Sequence, residues 1–315
     1  MILVTGGLGF IGSHTVQALS DMGQESVLVQ RSATEPPAYL AGAKVAVEQA
    51  DITDLRTLLD VGERHEVTGI VHLAGSMPWP PDPGRPVEAT RKALGGLLNV
   101  MQAARDWGVR RVGVASTIGV YSGLADEGAL HEDLPLPMTS FHAIPTFKKI
   151  GELLGEHLAD ATGLEVVNYR ISATWGPRDP HGALFFAAPE LVHAAVRGTE
   201  PDLSALPAPA HAEDAIDLCY VKDTARAIAL LQLADRLNHR TYNVASGRAT
   251  SNAEVIAAIR KVVPGAEVGL PTGGTGGQTY LDITRLRQDT GFRPGYDVER
   301  AAADYITWLR AGNER

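Results

Sequence analysis

Three glycines near the start of the chain have the spacing of a loop that binds phosphate. Residues 1–5 are typical of a buried strand, and Gly6, Gly9 and Gly12 follow that strand directly into a helix. In this arrangement the first glycine makes a tight turn, the second lets backbone N–H groups approach a pyrophosphate, and the third permits close packing of the helix on the strand. The sequence therefore predicts a dinucleotide site at the start of the chain.

The composition argues against several other classes of function. A net charge of −9 disfavours a nucleic-acid partner, because such proteins need a basic surface. The single cysteine, Cys219, rules out an internal disulfide and is expected in the core, and the ten histidines show no metal-ligand spacing. No apolar run approaches the ~20 residues of a membrane span, and because the predicted first strand begins at Met1 we expect no signal peptide. We expect a cytoplasmic protein with no metal, membrane or nucleic-acid partner.

Short apolar runs alternate with helical stretches through the first half of the chain, which is typical of a parallel sheet covered on both faces. We predict a doubly wound α/β fold of the Rossmann type in residues 1–170, with residues 211–250 returning to it in part. Residues 171–315 are predicted to form mainly a smaller substrate-binding lobe that caps the carboxyl edge of the sheet. The predicted strands are residues 27–30, 45–48, 69–73, 112–115, 165–170, 217–221 and 241–244.

Further motifs cover nearly the whole chain and resemble the extended short-chain dehydrogenase/reductases, a family that includes nucleotide-sugar epimerases and dehydratases. Besides the glycine motif, the matching segments are Ala50-Asp51-Ile52, His72-Leu-Ala-Gly75, Ser116-Thr-Ile-Gly-Val-Tyr121, Tyr169-Arg170, Trp175-Gly-Pro177, Tyr220-Val-Lys-Asp223 and Tyr242-Asn-Val-Ala-Ser-Gly247. The resemblance implies an enzyme that binds a nicotinamide dinucleotide. The implied contacts are Phe10 and Ile11 beside the glycines, Asp51 and Ile52 at the adenine, Leu73, Ala74 and Gly75 along the phosphates and ribose, Lys148 at the nicotinamide ribose, and Arg170 and Ile171.

The residues after the second strand favour NADP over NAD. NAD enzymes usually place an acidic residue there to accept hydrogen bonds from the ribose hydroxyls, whereas this chain has Gln30, Arg31 and Ser32. Arg31, with Ser32 beside it, would suit a 2′-phosphate through charge-assisted hydrogen bonds. The alternative is a solvated surface arginine and an NAD site.

The family's catalytic pattern is retained only in part. It consists of a serine or threonine and a Tyr-x-x-x-Lys segment, in which the lysine lowers the pKa of the tyrosine that exchanges a proton with the substrate oxygen. Thr117 and Lys148 match the first and last positions, but Ile144 occupies the tyrosine position. Taking Lys149 as the lysine would place Pro145 there instead. A hydrocarbon side chain cannot exchange a proton, so the usual general acid is missing.

Two residues are candidates to replace the tyrosine. His142 lies two residues before the tyrosine position, and an imidazole titrates near neutrality; the alternative is a packed or capping histidine. Tyr121 follows the threonine by four residues, at a position that is usually structural in the family. Ala93 and Ala173, which stand where the family has asparagine, also indicate a rebuilt site.

The expected substrate is smaller or less phosphorylated than a nucleotide sugar. Nucleotide-sugar members commonly bind the diphosphate with an arginine before an Asp-x-x-Tyr-Val strand, but here Ile216 precedes Asp217. Dehydratases need an Asp-Glu pair after the threonine, and this chain has Ile118-Gly119. Candidate anchors for a substrate are Arg178 and Arg197, and candidate pocket walls are Trp79, Trp175 and the proline-rich segment 78–86.

We expect an NAD(P)-dependent oxidoreductase or epimerase that acts on a small carbonyl or alcohol, such as a sugar derivative or secondary metabolite. Thr117 would bind the reacting oxygen, and His142 or a water would exchange the proton. Loss of the tyrosine leaves two alternatives open: a non-redox isomerase, cyclase or lyase, and a cofactor-bound sensor without turnover. Helices over residues 91–107 and 146–158 have the length and apolar content to form a homodimer interface.

Overall fold

The computed structural model describes residues 1–32, 35–75, 84–124, 128–180, 185–274 and 277–313. Its strands are β1 (Ile2–Thr5), β2 (Ser26–Gln30), β3 (Val45–Gln49), β4 (Gly69–His72), β5 (Arg111–Thr117), β6 (Ala129–Leu130), β7 (Glu165–Ile171), β8 (Ala173–Trp175), β9 (Ala215–Ile216), β10 (Leu218–Tyr220), β11 (Thr241–Val244), β12 (Thr250–Ser251) and β13 (Tyr280–Leu281). Its helices are α1 (Phe10–Asp21), α2 (Leu55–Arg64), α3 (Pro86–Asp106), α4 (Ala143–Thr162), α5 (Ala188–Arg197), α6 (Val221–Leu233), α7 (Asn252–Val262), α8 (Thr284–Thr290) and α9 (Val298–Arg310).

The central sheet is parallel throughout and has the strand order β11-β7-β5-β4-β1-β2-β3. The chain winds outward from β1 through β2 to β3, and then crosses back to β4 on the other side of β1. In sheets with such a reversal, ligands bind outside the carboxyl ends of the strands at the reversal point. The predicted doubly wound α/β fold is confirmed.

Helices cover both faces of this sheet. Because successive residues of a strand point to opposite sides, neighbouring residues pack into different cores. Leu3 packs into a core that includes Leu58 of α2 and Val100 of α3. Its neighbour Val4 packs into the opposite core, with Val16 of α1 and residues of α6. With both faces buried, the strands are nearly continuous apolar runs, which is why the sequence predicted them well.

A third core is formed by the part of the chain after β7 and joins α5, α7 and α9. Trp175 is only 1% exposed in this core, and its ring packs edge-on against Tyr220 and Tyr305. Trp175 is thus a core residue, and its predicted place in the wall of a substrate pocket stays a prediction. Trp79 and residues 78–83 of the proline-rich segment lie outside the described residues, as do residues 275 and 276.

The chain returns to the central sheet through β11, as predicted, and the structure shows that β11 pairs with β7. By contrast, β10 pairs with β8 in a separate two-stranded sheet, so residues 217–221 do not rejoin the central sheet. Cys219 is buried in β10. Within the described ranges, no helix combines the length and apolar character needed to cross a membrane.

Candidate cofactor and catalytic site

A cavity of about 730 Å³ opens at the carboxyl ends of β1 to β4, at the reversal point of the sheet. It brings together predicted cofactor contacts that are far apart in the sequence: Gly6, Gly9, Arg31, Asp51, Ile52, Leu73, Ala74 and Gly75. The cavity walls therefore come from the loops that follow four neighbouring strands. Ser32 is exposed beside Arg31 and is not part of the lining.

The glycine-rich loop has the close contacts that the sequence predicted. Gly6 has a φ of +71°, and a Cβ there would lie 2.9 Å from the backbone nitrogen of Ala74. A Cβ on Gly12 would lie 2.0 Å from the carbonyl oxygen of Gly6. Gly9 precedes α1 without a side-chain cap, so the first N–H groups of the helix, including those of Phe10 and Ile11, are directed to the end of the cavity. The loop thus fits a pyrophosphate group.

A hydrogen-bond chain that sequence reasoning missed holds the β4 loop against the glycine loop. Thr5 Oγ1 lies 2.7 Å from Nδ1 of the buried His72 and accepts a hydrogen bond from Ala74 N at 3.2 Å. Burial lowers the pKa of His72 to about 3, so its imidazole is neutral at pH 7. The pairing of Thr5 with His72 in adjacent strands was the signal that could have revealed this contact.

Among the described residues, three cationic side chains line this cavity. Arg31 lines it together with Arg85 and Lys92, which the start of α3 supplies. Glu88 on the same helix pairs with Lys92 at 2.9 Å and with Arg85 at 3.6 Å. Arg85 and Lys92 were not predicted from the sequence, because they reach the cavity only through the packing of α3. The end of β2 carries no carboxylate that would repel a 2′-phosphate.

The matched catalytic positions lie at the junction of β5 and α4. Thr117 ends β5, and its Oγ1 accepts a hydrogen bond from Gly119 N at 3.2 Å. A Cβ on Gly119 would lie 2.9 Å from Pro145, so the turn after Thr117 packs on the first turn of α4. Lys148 follows one turn later on that helix and is half-buried, and burial lowers its pKa to about 8. Ile171 pairs with Thr117 in the neighbouring strand and is buried at the same edge.

The two candidates for the missing acid have different surroundings. His142 immediately precedes α4, is half-buried and stacks on Phe185 with ring centroids 5.6 Å apart. Burial lowers the pKa of His142, so it is neutral at pH 7. Tyr121 is buried; its hydroxyl donates to Asn243 Oδ1 and accepts from Arg170 Nη1, both at 2.8 Å. Burial raises the pKa of Tyr121 to about 12. Tyr121 thus belongs to a buried hydrogen-bond network on the turn that follows β5, which favours a structural role, and its predicted catalytic role stays a prediction.

Arg170 is also placed differently from the prediction. It is 5% exposed, and its guanidinium forms a buried ion pair with Glu152 of α4 at 2.7 Å. Nε donates to the same carboxylate at 3.0 Å, and Nη1 donates to the Glu132 carbonyl at 3.1 Å. Ser116 completes the set with a hydrogen bond to Glu152. All three guanidinium nitrogens are therefore engaged by the protein, and Arg170 holds α4 on the sheet in place of the predicted cofactor contact.

Comparisons with known proteins agree with this geometry. A family model described as the NAD dependent epimerase/dehydratase family matches residues 2–245. A UDP-glucose 4-epimerase of Azospirillum brasilense is 28% identical over 98% of this chain and 92% of its own length. A dTDP-glucose 4,6-dehydratase of an Actinoplanes species is 26% identical over 98% of each chain. The crystal structure of the Thermus thermophilus UDP-glucose 4-epimerase in complex with NAD is 25% identical, with a TM-score of 0.77 over 98% of each chain.

These relatives overturn the expectation about the substrate. Each of them is named for a nucleotide sugar, which contradicts the expectation of a smaller, less phosphorylated substrate. That expectation depended on Ile216, which stands where many members have an arginine. The expectation was wrong because a diphosphate needs cationic hydrogen-bond donors but not at one fixed position. Loops other than the segment before Asp217 can supply them.

Proposed function

Because this chain belongs to the NAD-dependent epimerase/dehydratase family, we propose that it is an NAD(P)-dependent oxidoreductase or epimerase that acts on the sugar ring of a nucleotide sugar. The observation that carries the proposal is the joint placement of the glycine-rich loop, Thr117 and Lys148 at the carboxyl edge of one sheet. When bound, the nicotinamide supplies hydride acceptance and return.

Thr117 is proposed to bind the reacting oxygen of the sugar. Its Oγ1 already accepts a hydrogen bond from Gly119 N, so the hydroxyl proton is available to donate to a substrate carbonyl or alcohol oxygen. The same backbone contact fixes the side-chain orientation. This matters because a catalytic donor loses effect when its position is not held.

Lys148 is proposed to bind the nicotinamide ribose and to exchange the proton, directly or through a water. Ile144 lies one turn before Lys148 on α4, at the position where the family's pattern has the tyrosine. A pKa of about 8 allows Lys148 to take up and release a proton near neutrality. His142 is the second candidate, but its ring is stacked on Phe185.

The proposal is tested by incubating the protein with UDP-sugars and a limiting amount of NADP⁺ or NAD⁺. An oxidoreductase changes the absorbance of the nicotinamide in proportion to product, whereas an epimerase converts the sugar without net reduction. Deuterium placed on the reacting carbon of the sugar appears at C4 of the nicotinamide if hydride moves, and quenching a single turnover reveals this transfer for an oxidoreductase and for an epimerase. Conversion of the sugar without such transfer would contradict the redox proposal and favour a non-redox isomerase or lyase, and binding without conversion would favour a sensor. Ile144 keeps both alternatives open.

NADP is proposed as the preferred cofactor, because Arg31 follows β2 at the cavity and Arg85 and Lys92 line the same cavity. We expect Arg31→Ala to weaken NADP⁺ binding by about 10- to 100-fold, the effect typical of a lost hydrogen bond between charged groups, and to leave NAD⁺ binding nearly unchanged. Titration calorimetry measures both. Arg56→Ala, at an exposed arginine on α2, is the matched control. Tighter binding of NAD⁺ than of NADP⁺ by the unmodified protein would refute the preference.

A homodimer is proposed as the assembled form. α3 and α4 pack against each other and leave Leu98 and Leu153 exposed, at 44% and 67%. We expect Leu153→Glu to convert a dimer into monomers, because it places a charge where apolar surface would be buried. Sedimentation measures the mass, with Met22→Glu, at an apolar residue that is 39% exposed after α1, as the control. A monomeric mass for the unmodified protein would contradict this proposal.

A further inference from the structure

The turn that follows β8 holds an arginine in a backbone conformation that favours glycine. Among the residues that the structure describes, Arg178 is the one non-glycine residue with a positive φ, at +67°. Asp179 N donates to the Gly176 carbonyl at 3.1 Å, and Pro177 occupies the second position. This is the pattern of a type II turn, whose third position is normally glycine because a Cβ is strained there. A side chain kept at such a position points to a function for that side chain.

The Arg178 side chain lies beside the glycine-rich loop. Its guanidinium carbon stands 3.3 Å from the centre of the Tyr39 ring, and the Tyr39 hydroxyl is 3.5 Å from the Leu8 carbonyl. His14 of α1 fixes the same turn, since its Nε2 lies 3.0 Å from the Pro177 carbonyl. Burial lowers the pKa of His14 to about 4, so the neutral ring donates this hydrogen bond. The turn thus bridges the second lobe and the phosphate-binding end of α1.

The stacked guanidinium keeps its hydrogen-bonding capacity. Tyr39 contacts the face of the group, and within the described part of the chain no acceptor takes a hydrogen bond from the N–H groups at the edge of Arg178. The neighbouring carboxyl does not neutralise it, because burial raises the pKa of Asp179 to about 8 and leaves that group protonated at pH 7. A planar cation with a free edge matches the oxygens of a phosphate.

We propose that Arg178 is a diphosphate-binding residue at the junction of the glycine-rich loop and the second lobe. The ligand chemistry is a diphosphate ester, which either the dinucleotide or a nucleotide-sugar substrate provides, so the inference rests on the proposed function. In this proposal the Arg178 guanidinium and the backbone N–H groups of the glycine-rich loop bind the same diphosphate. Arg178 thereby supplies the cation that Ile216 does not, from a loop in place of a strand.

The test is Arg178→Gly, studied by calorimetry with two probes. ADP-ribose carries the diphosphate of the cofactor, and UDP carries that of the substrate. We expect the affinity for at least one probe to fall about 10- to 100-fold, the range for a lost charged hydrogen bond, and the probe affected identifies the source. The melting temperature should stay the same or rise, because glycine relieves the strained backbone. Arg178→Lys should recover part of the affinity, since it restores charge without the planar fork.

Arg236→Gln, at an exposed arginine that follows α6, is the matched control and should leave both affinities unchanged. A lower melting temperature for Arg178→Gly with unchanged affinity for both probes would overturn the inference and reduce Arg178 to a stacking partner of Tyr39. If the unmodified protein bound neither ADP-ribose, NADP⁺ nor UDP, the proposed function would fail together with this inference. Normal binding of these ligands by both the unmodified protein and Arg178→Gly would remove the inference alone.

Discussion

Replacing Lys148 with arginine should slow the chemical step by about 10²- to 10⁴-fold, the usual contribution of general acid–base transfer, while cofactor binding is largely retained. Arginine keeps a positive charge near the ribose but does not give up its proton in the accessible pH range. The substitution therefore separates the binding role of Lys148 from its proposed role in proton exchange. Single-turnover measurements of the nicotinamide absorbance with a confirmed substrate report the step directly.

The pH dependence of the same step follows from the state of Lys148. In the direction of carbonyl reduction the ammonium form must donate, so the rate of the unmodified enzyme should fall as the pH rises through about 8. In the direction of alcohol oxidation the neutral amine must accept, and the rate should rise through the same range. Lys148→Arg should show neither change there.

His142→Ala is the companion variant for this prediction. If Lys148 exchanges the proton, His142→Ala should change the single-turnover rate much less than Lys148→Arg does, because the imidazole then only packs on Phe185. The opposite order, a large loss for His142→Ala and a small one for Lys148→Arg, would assign the proton to the histidine. That outcome would return the mechanism to the interpretation based on sequence.

Replacing Arg170 with methionine should destabilise the protein by about 3–5 kcal/mol, the cost of breaking a buried ion pair from one side. Glu152 is 7% exposed and would keep its hydrogen bond from Ser116 but lose its ion pair, so its buried negative charge would be opposed only through space by Lys148 and Lys149. Tyr121 would lose a hydrogen bond as well. Urea denaturation measures the change in the free energy of unfolding.

The double variant Arg170→Met with Glu152→Gln tests the cause of this loss. Removing both charges leaves no stranded carboxylate, so the double variant should be more stable than Arg170→Met alone. A role in cofactor binding would give another result: nearly normal stability for Arg170→Met together with much weaker NADP⁺ binding. Such data would restore the contact that the sequence resemblance implied and would remove the structural interpretation.

The sequence by itself determined the central sheet, the glycine-rich loop and the loss of the tyrosine from the catalytic pattern. These features are local. A strand that is buried on both faces is a continuous apolar run, and the steric limits of the loop allow only glycine at Gly6 and Gly12, where a Cβ would meet backbone atoms at 2.9 and 2.0 Å. Ile144 needed no structure either, because its position is fixed by its distance along one helix from Lys148.

Only the tertiary structure decided which long-range partner each polar side chain has. Arg170 lies near the end of β7 and has the chemistry of a cofactor contact. The packing of α4 on the sheet, however, places Glu152 beside it, and the two side chains form an ion pair. The same kind of packing brings Arg85 and Lys92 to the cavity of Arg31. It also turns Arg178 onto Tyr39, which lies far away in the sequence. Spacing along the chain specifies which helix or strand a side chain belongs to. The partner of a charged side chain, by contrast, comes from a neighbouring helix or strand, so it depends on how these elements pack.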